Sequence, residues 1–116
     1  MKTSRGDIFW CDLDKRTDSR VVYGIRPVVV VSNDSANFFS SVISVIPLTK
    51  QRKKELPTHV IINGYGLQHS SIALSEQVMS VDVRRLGKKI GSLAGSREMA
   101  EINKCLCIQF GGLKVA

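Results

Sequence analysis

The chain has 116 residues, 43% of them hydrophobic, and carries 17 Lys and Arg against 10 Asp and Glu, a formal charge of +7. That length and composition fit one domain around one core, so residues 1–116 are read as a single unit. No apolar run approaches the ~20 residues of a membrane span, the odd set Cys11, Cys105 and Cys107 does not form a disulfide framework, and the positive excess points to a polyanionic partner.

The start, MKTSRGDIFW, runs from polar residues straight into strand-like sequence without a signal-peptide pattern, so the expectation is a cytoplasmic protein with no membrane partner. Asp7–Leu13 reads as a strand, and residues 14–25 as a charged, Gly-containing loop with a short extended piece at Val21–Tyr23. Arg26–Ser32 is a strand whose four consecutive valines imply burial on both faces. Pro27 must then stand at its first residue or two, where no ladder N–H is needed. Asn33–Asn37 reads as a turn or the start of one helical turn.

Val42–Leu48 is a third β-branched run, and residues 49–57 a basic loop. Thr58–Asn63 is a strand followed by the turn signal Asn63–Gly66. Ser71–Val81 holds one or two strands, and part of Val83–Leu93, too glycine-rich for a good helix, a last one. Ser96 is an N-cap with Glu98 in the first helical turn. Met99, Ile102, Leu106 and Phe110 then follow as one apolar stripe, ended by Gly111-Gly112. The reading is a mainly β fold with a C-terminal helix: a small, strongly bent antiparallel sheet or barrel packed on that helix. Cys105 and Cys107, two apart on the helix, face different sides and cannot share a metal. All three cysteines are read as small buried hydrophobes.

No P-loop, Gly-x-Gly-x-x-Gly, Cys-x-x-Cys, His-Glu-x-x-His or carboxylate cluster with metal-ligand spacing is present, and neither a metal nor another cofactor is expected. His59 and His69 flank a turn without an identifiable Ser-His-Asp set. What remains is cations at strand ends. Arg26 opens the valine strand, while Thr49 closes the third strand, with Lys50, Arg52, Lys53 and Lys54 directly after it. An arginine fixed at a rigid strand can hold a phosphate bidentately, and a threonine hydroxyl can donate to the same group. A solvated basic loop and a strand-end threonine fit the same residues.

Several segments, in order, resemble the MazF/PemK toxins of bacterial toxin–antitoxin modules: Arg5–Trp10 (RGDIFW), Gly24–Asp34 (GIRPVVVVSND), Val45–Thr49 (VIPLT), Leu56–Val60 (LPTHV), Ser75–Val78 (SEQV), and VDVRRL with KKIGSL up to Leu93. The resemblance implies an SH3-like small β-barrel that is homodimeric. It also implies a metal-independent, sequence-specific endoribonuclease cutting single-stranded mRNA by 2′-OH attack, leaving a 2′,3′-cyclic phosphate and a 5′-OH. A cognate acidic antitoxin would lay its tail across the RNA groove, and the complex would bind DNA. Arg26 and Thr49 fall on the family's catalytic arginine and threonine.

RNA supplies its own nucleophile, so such a protein needs only to align the 2′-OH, stabilise the charged phosphorane and move protons. A guanidinium keeps its proton to about pH 12 or beyond, which argues for Arg26 as a charge stabiliser rather than a proton carrier. The general base is not apparent. The resemblance further implies RNA contacts from Glu76 and Gln77 along base edges, from Lys50 and Arg52 with the following lysines on phosphates, and from His59 in the groove. In relatives the loop before the arginine borders the groove, which implies the same for Ser19 and Tyr23 here, with Tyr23 as a stacking surface or as packing for the loop. One departure stands out: relatives carry an acidic residue five positions before the arginine, and here that position is Val21. Two other functions suit charge and fold, a non-catalytic nucleic-acid-binding barrel and a protein-directed toxin resembling the gyrase poison of the same barrel fold.

Overall fold

The structure, a computed structural model, describes residues 2–15, 18–50 and 56–112. Seven strands form one antiparallel system: β1 (Asp7–Leu13), β2 (Gly24–Val30), β3 (Val42–Lys50), β4 (His59–Ile62), β5 (Ser71–Leu74), β6 (Met79–Asp82) and β7 (Leu86–Ser92). Two helices accompany them, α1 (Asp34–Phe39) and α2 (Arg97–Gln109), with single 3-10 turns at Ser75–Gln77 and Val83–Arg85. The strand path is β4-β5-β3-β2-β1-β7, with β6 on β3. It is an open, barrel-like sheet: β4 and β7 end the path.

Two devices bend the sheet. β3 changes partners along its length, pairing with β6 over Val42–Val45, with β2 over Val45–Pro47 and with β5 over Leu48–Lys50. Along the β1–β7 ladder the register shifts twice, between Ile8 and Phe9 and again before Cys11, and such bulges add twist and curvature. The bent sheet encloses two apolar clusters. Val29, Ile46, Leu48, Val60, Ile62 and Leu93 pack beneath Met99, Ile102 and Cys105 of α2. Phe9, Cys11, Val28, Val30, Ile43 and Val45 form the other cluster. Val28–Val31 are all buried, alternating between the two, which is the burial on both faces that the valine run implies.

The elements match the sequence reading with some corrections. Val21–Tyr23 is not a strand. β2 instead begins at Gly24, so Pro27 is its fourth residue, opposite Trp10. That is tolerated because the β2–β3 ladder stops at Val28–Pro47, leaving Pro27 just past the last pair. The Asn33–Asn37 segment enters a six-residue helix, capped by the Asn33 side chain accepting from the Ala36 amide. In α2 the apolar stripe runs through Cys105 while Phe110 is exposed, and Cys107 is exposed rather than buried. α2 starts and ends as read: Ser96 Oγ accepts from the Met99 amide, and the Gly111 and Gly112 amides close onto the Ile108 and Cys107 carbonyls. No helix among the described residues is long and apolar enough to cross a membrane.

Candidate active site

The site forms where the β2–β3 ladder ends. Pro27 and Pro47 lie where β2 and β3 separate, and Pro27, one step past the last pair, has no N–H with which to continue the ladder. Beyond that point the strands frame a cavity of about 230 Å³ lined by Arg26 and Thr49. The pairs Val30–Val45, Val29–Ile46 and Val28–Pro47 run in register, and two more steps along it fall on Arg26 and Thr49. The sheet thus brings together two residues 23 apart in sequence. The volume is below the ~300–1,000 Å³ of pockets that engulf small ligands, which suits a segment of a longer chain.

A clamped turn builds the far wall. Residues 63–70 cross β7 so closely that main chain touches main chain: a Cβ on Gly66 would lie 2.2 Å from the Ile90 carbonyl oxygen, and one on Gly91 1.9 Å from the Tyr65 carbonyl oxygen. Gly66 also needs φ +90°. Tyr65 Oη donates to Glu98 of α2 at 3.1 Å, and Ser71 Oγ donates to the His69 carbonyl at 3.0 Å. So held, the turn presents Leu67, Gln68 and His69 to the cavity, with Trp10 of β1 and Lys50 of β3 also lining it.

The electrostatics favour an anion. Among the described lining residues the ionisable side chains are Arg26, Lys50 and His69, and none is a carboxylate. Arg26 Nε donates to the Tyr23 carbonyl at 2.7 Å, which fixes the guanidinium and leaves its two terminal amino groups for a ligand. Thr49 is partly buried next to it and Lys50 exposed at the mouth. Such donors can bind a phosphate and stabilise added negative charge on it. No group of three or more His, Cys, Asp and Glu among the described residues is placed to hold a metal ion.

The other sequence-predicted residues are elsewhere. Glu76 and Gln77 lie on the 3-10 turn after β5 and line a second groove with Val21, Val22 and Arg85. That groove also carries Asp12, Asp14 and Asp82, so its charge is mainly negative. Gln77 Oε1 accepts from the Val22 amide at 2.9 Å and ties down the β1–β2 loop. His59 is 8% exposed, with Nε2 3.0 Å from Glu76 Oε2, while Thr58 Oγ1 donates to Glu76 Oε1 at 3.1 Å. His59 therefore holds Glu76 from the interior and is not among the lining residues of either depression. Ser19 Oγ accepts from the Val21 amide inside its own loop. Tyr23 is exposed with Lys15 Nζ 5.3 Å from its ring centroid. Arg52, Lys53 and Lys54 lie outside the described residues.

Trp10, Gln68 and His69 were not among the residues picked out by the sequence. Trp10 alternates with buried Phe9 and Cys11, a visible signal for a different face, but its place near Arg26 follows from the Trp10–Pro27 register. Gln68 and His69 reach the cavity through the Gly66–Gly91 crossing, which joins segments far apart in sequence.

A profile of the family described as the PemK-like, MazF-like toxin of type II toxin-antitoxin systems matches residues 4–110. The chain is 41% identical over 96 residues to endoribonuclease EndoA of Bacillus subtilis, covering 80% of this chain and 82% of that protein. It is 36% identical over 110 residues to endoribonuclease MazF of Staphylococcus saprophyticus, covering 92% and 90%. Among solved structures, MazF of Deinococcus radiodurans superposes with a TM-score of 0.81 at 22% identity, over 96% of this chain and 98% of that one. An endoribonuclease in complex with its cognate antitoxin from a Mycobacterial species gives a TM-score of 0.79 at 23% identity, over 97% and 99%.

Proposed function

The chain belongs to the PemK-like, MazF-like toxin family of type II toxin-antitoxin systems and is a toxin endoribonuclease, and we propose that the Arg26–Thr49 cavity is where it cuts single-stranded RNA. The observation that carries this is the meeting of those two side chains at the parting of β2 and β3, in a lining whose charged groups are cationic or imidazole. The scissile phosphate sits between the Arg26 guanidinium and the Thr49 hydroxyl. The adjacent ribose 2′-OH attacks phosphorus, and the bond to the 5′-oxygen breaks. The products are a 2′,3′-cyclic phosphate and a 5′-OH. Arg26 stabilises the extra charge of the phosphorane, and Thr49 fixes one phosphate oxygen by a hydrogen bond. The nucleophile comes with the substrate, so this mechanism needs neither a metal nor a cofactor.

Lys50, with Arg52 and the lysines beyond it, contacts flanking phosphates and makes binding salt-dependent. Glu76 and Gln77 read base edges away from the cut, in the groove whose acidic character disfavours the backbone itself. His59 contributes through Glu76. Tyr23 offers a stacking face at the loop that Ser19 and Gln77 shape.

The protein works as a single domain in the bacterial cytoplasm, and a cognate acidic antitoxin restrains it by competing for the same cationic surface. Its assembly is a homodimer. Phe38, Phe39 and Val42 form an apolar surface, 76%, 82% and 50% exposed, that a second copy would cover. A monomeric mass by light scattering at micromolar concentration would contradict the dimer. The activity is tested by incubating wild type and Arg26→Ala with long single-stranded RNA in EDTA. Cleavage by wild type and a loss of about 10²–10³ in rate for the variant are expected, the cost of removing one transition-state donor. Equal cleavage by a folded Arg26→Ala would sink the assignment.

A further inference from the structure

Phosphodiester transfer from the 2′-OH needs a group that accepts its proton, and the residues assigned so far do not supply one. Arg26 is permanently protonated, a threonine hydroxyl is a poor base, and the Lys50 ammonium is a donor without an acceptor site. Glu76 has acceptor oxygens, but it lines the other groove, where Thr58 and His59 occupy its two oxygens. Among the described residues lining the Arg26–Thr49 cavity, the one side chain of a type that serves as a general base is His69.

On the footing of the ribonuclease reading, the geometry points to His69 as the proton-accepting catalytic residue. Its position is held from three sides. Ser71, buried at the start of β5, donates through Oγ to the His69 carbonyl at 3.0 Å. The Gly66–Ile90 and Gly91–Tyr65 main-chain contacts fix the turn that carries it. Tyr65 Oη anchors the same turn to Glu98 on α2. The imidazole side chain is exposed, so it is free for substrate rather than locked into the core.

In the step assigned, an imidazole ring nitrogen takes the proton from the 2′-OH as O2′ bonds to phosphorus. The bond from phosphorus to O5′ breaks, and O5′ leaves as an alcohol by taking a proton from water. The imidazolium then returns its proton to the hydroxide so formed. Among the described residues, the charged groups that share the cavity with His69 are Arg26 from β2 and Lys50 from β3. Trp10 from β1 and Ile90 from β7 bring no charge. Bound substrate places its phosphate among these three groups.

The test compares wild type, His69→Gln, His69→Ala, Glu76→Gln and Arg26→Ala on a short fluorogenic single-stranded RNA under single-turnover conditions, across about pH 5–9, a span that brackets the imidazole range. Binding is measured separately with the same RNA made 2′-O-methyl throughout, which cannot be cut. His69→Gln should lower the cleavage rate by about 10²-fold or more, the ordinary share of general acid–base catalysis. It should also abolish the rise in rate with pH expected of wild type and leave binding of the uncut probe unchanged. Added imidazole should restore part of the His69→Ala rate. Circular dichroism should show both variants folded, since the side chain is exposed.

Wild-type rate and pH profile in His69→Gln would overturn the proposal, while inactive Arg26→Ala beside active wild type would leave the ribonuclease reading standing. A loss of binding equal to the loss of rate would make His69 a binding group and overturn the catalytic role. Disappearance of the pH limb in Glu76→Gln instead would assign the base to Glu76. No cleavage by wild type would remove both readings together.

Discussion

Replacing Gly91 by alanine should damage both stability and cleavage, and the size of each effect follows from one contact. The added Cβ would start 1.9 Å from the Tyr65 carbonyl oxygen, where real Cβ contacts do not fall below 3.0 Å, so β7 and the turn must separate by at least 1.1 Å. The obstacle is main chain, which no rotamer change relieves. Overpacking of this kind costs about 2 kcal/mol, or on the order of 8 °C in Tm for a domain of this length. The moved turn carries Gln68 and His69, and a misplacement of about 1 Å at a reacting geometry can cost ~10²-fold in rate. Gly87→Ala is the internal control in the same strand: its Cβ would meet Trp10 Cβ at 3.4 Å, an ordinary contact, so stability and rate should hold. Thermal melts and single-turnover RNA cleavage on both variants decide the matter. Gly91→Ala with wild-type Tm would refute the clamp. Gly91→Ala with lowered Tm but wild-type cleavage would refute the dependence of the site on the turn.

Other outcomes follow from local features. Ser96→Ala removes the cap on the Met99 amide and should lower stability by about 1 kcal/mol in urea unfolding, while leaving cleavage intact at temperatures where the protein is folded. Of the three thiols, Cys107 alone should react with iodoacetamide in the native protein, read by mass spectrometry as one adduct. Cys105 is buried, and burial with the nearby Asp12 charge pushes the Cys11 thiol up to about 11, so it stays unreactive at neutral pH. Asp82 should titrate near 2 by NMR, because hydrogen bonds from the Arg84 side chain and amide hold its carboxyl below the ordinary 3.8. Its contribution to stability is complete above the unfolded value and is lost as pH falls through about 2, and Arg84→Ala should return the carboxyl toward the ordinary range.

The strands and α2 were readable because their signals are local. Asp7–Leu13 has the bounds expected of it, and Val28–Val31 divides between two clusters as a doubly buried run must. Ser96 and Gly111-Gly112 cap α2 through bonds within a few residues. Arg26 and Thr49 were legible as a pair through resemblance, and the β2–β3 register gives the physical reason they meet. The misreadings came from non-local context. Phe110 continues the helical period but falls beyond the last helical residue, at its C-cap, and is exposed. Cys107 is hydrophobic by type, yet faces solvent because Cys105 takes the core-facing position. His69 stands beside a turn in the sequence, and its place in the cavity with Arg26 depends on two non-local crossings, Gly66 on Ile90 and Gly91 on Tyr65.

The parting of β2 and β3 has a consequence for binding. It coincides with Pro27, which lacks the N–H that would carry the ladder one step past the Val28–Pro47 pair. A cleft framed where a ladder ends is part of the sheet and forms with it. The donors that line it, Arg26, Thr49 and Lys50, are set in place by the sheet, so an anionic segment that reaches the mouth meets them already arranged.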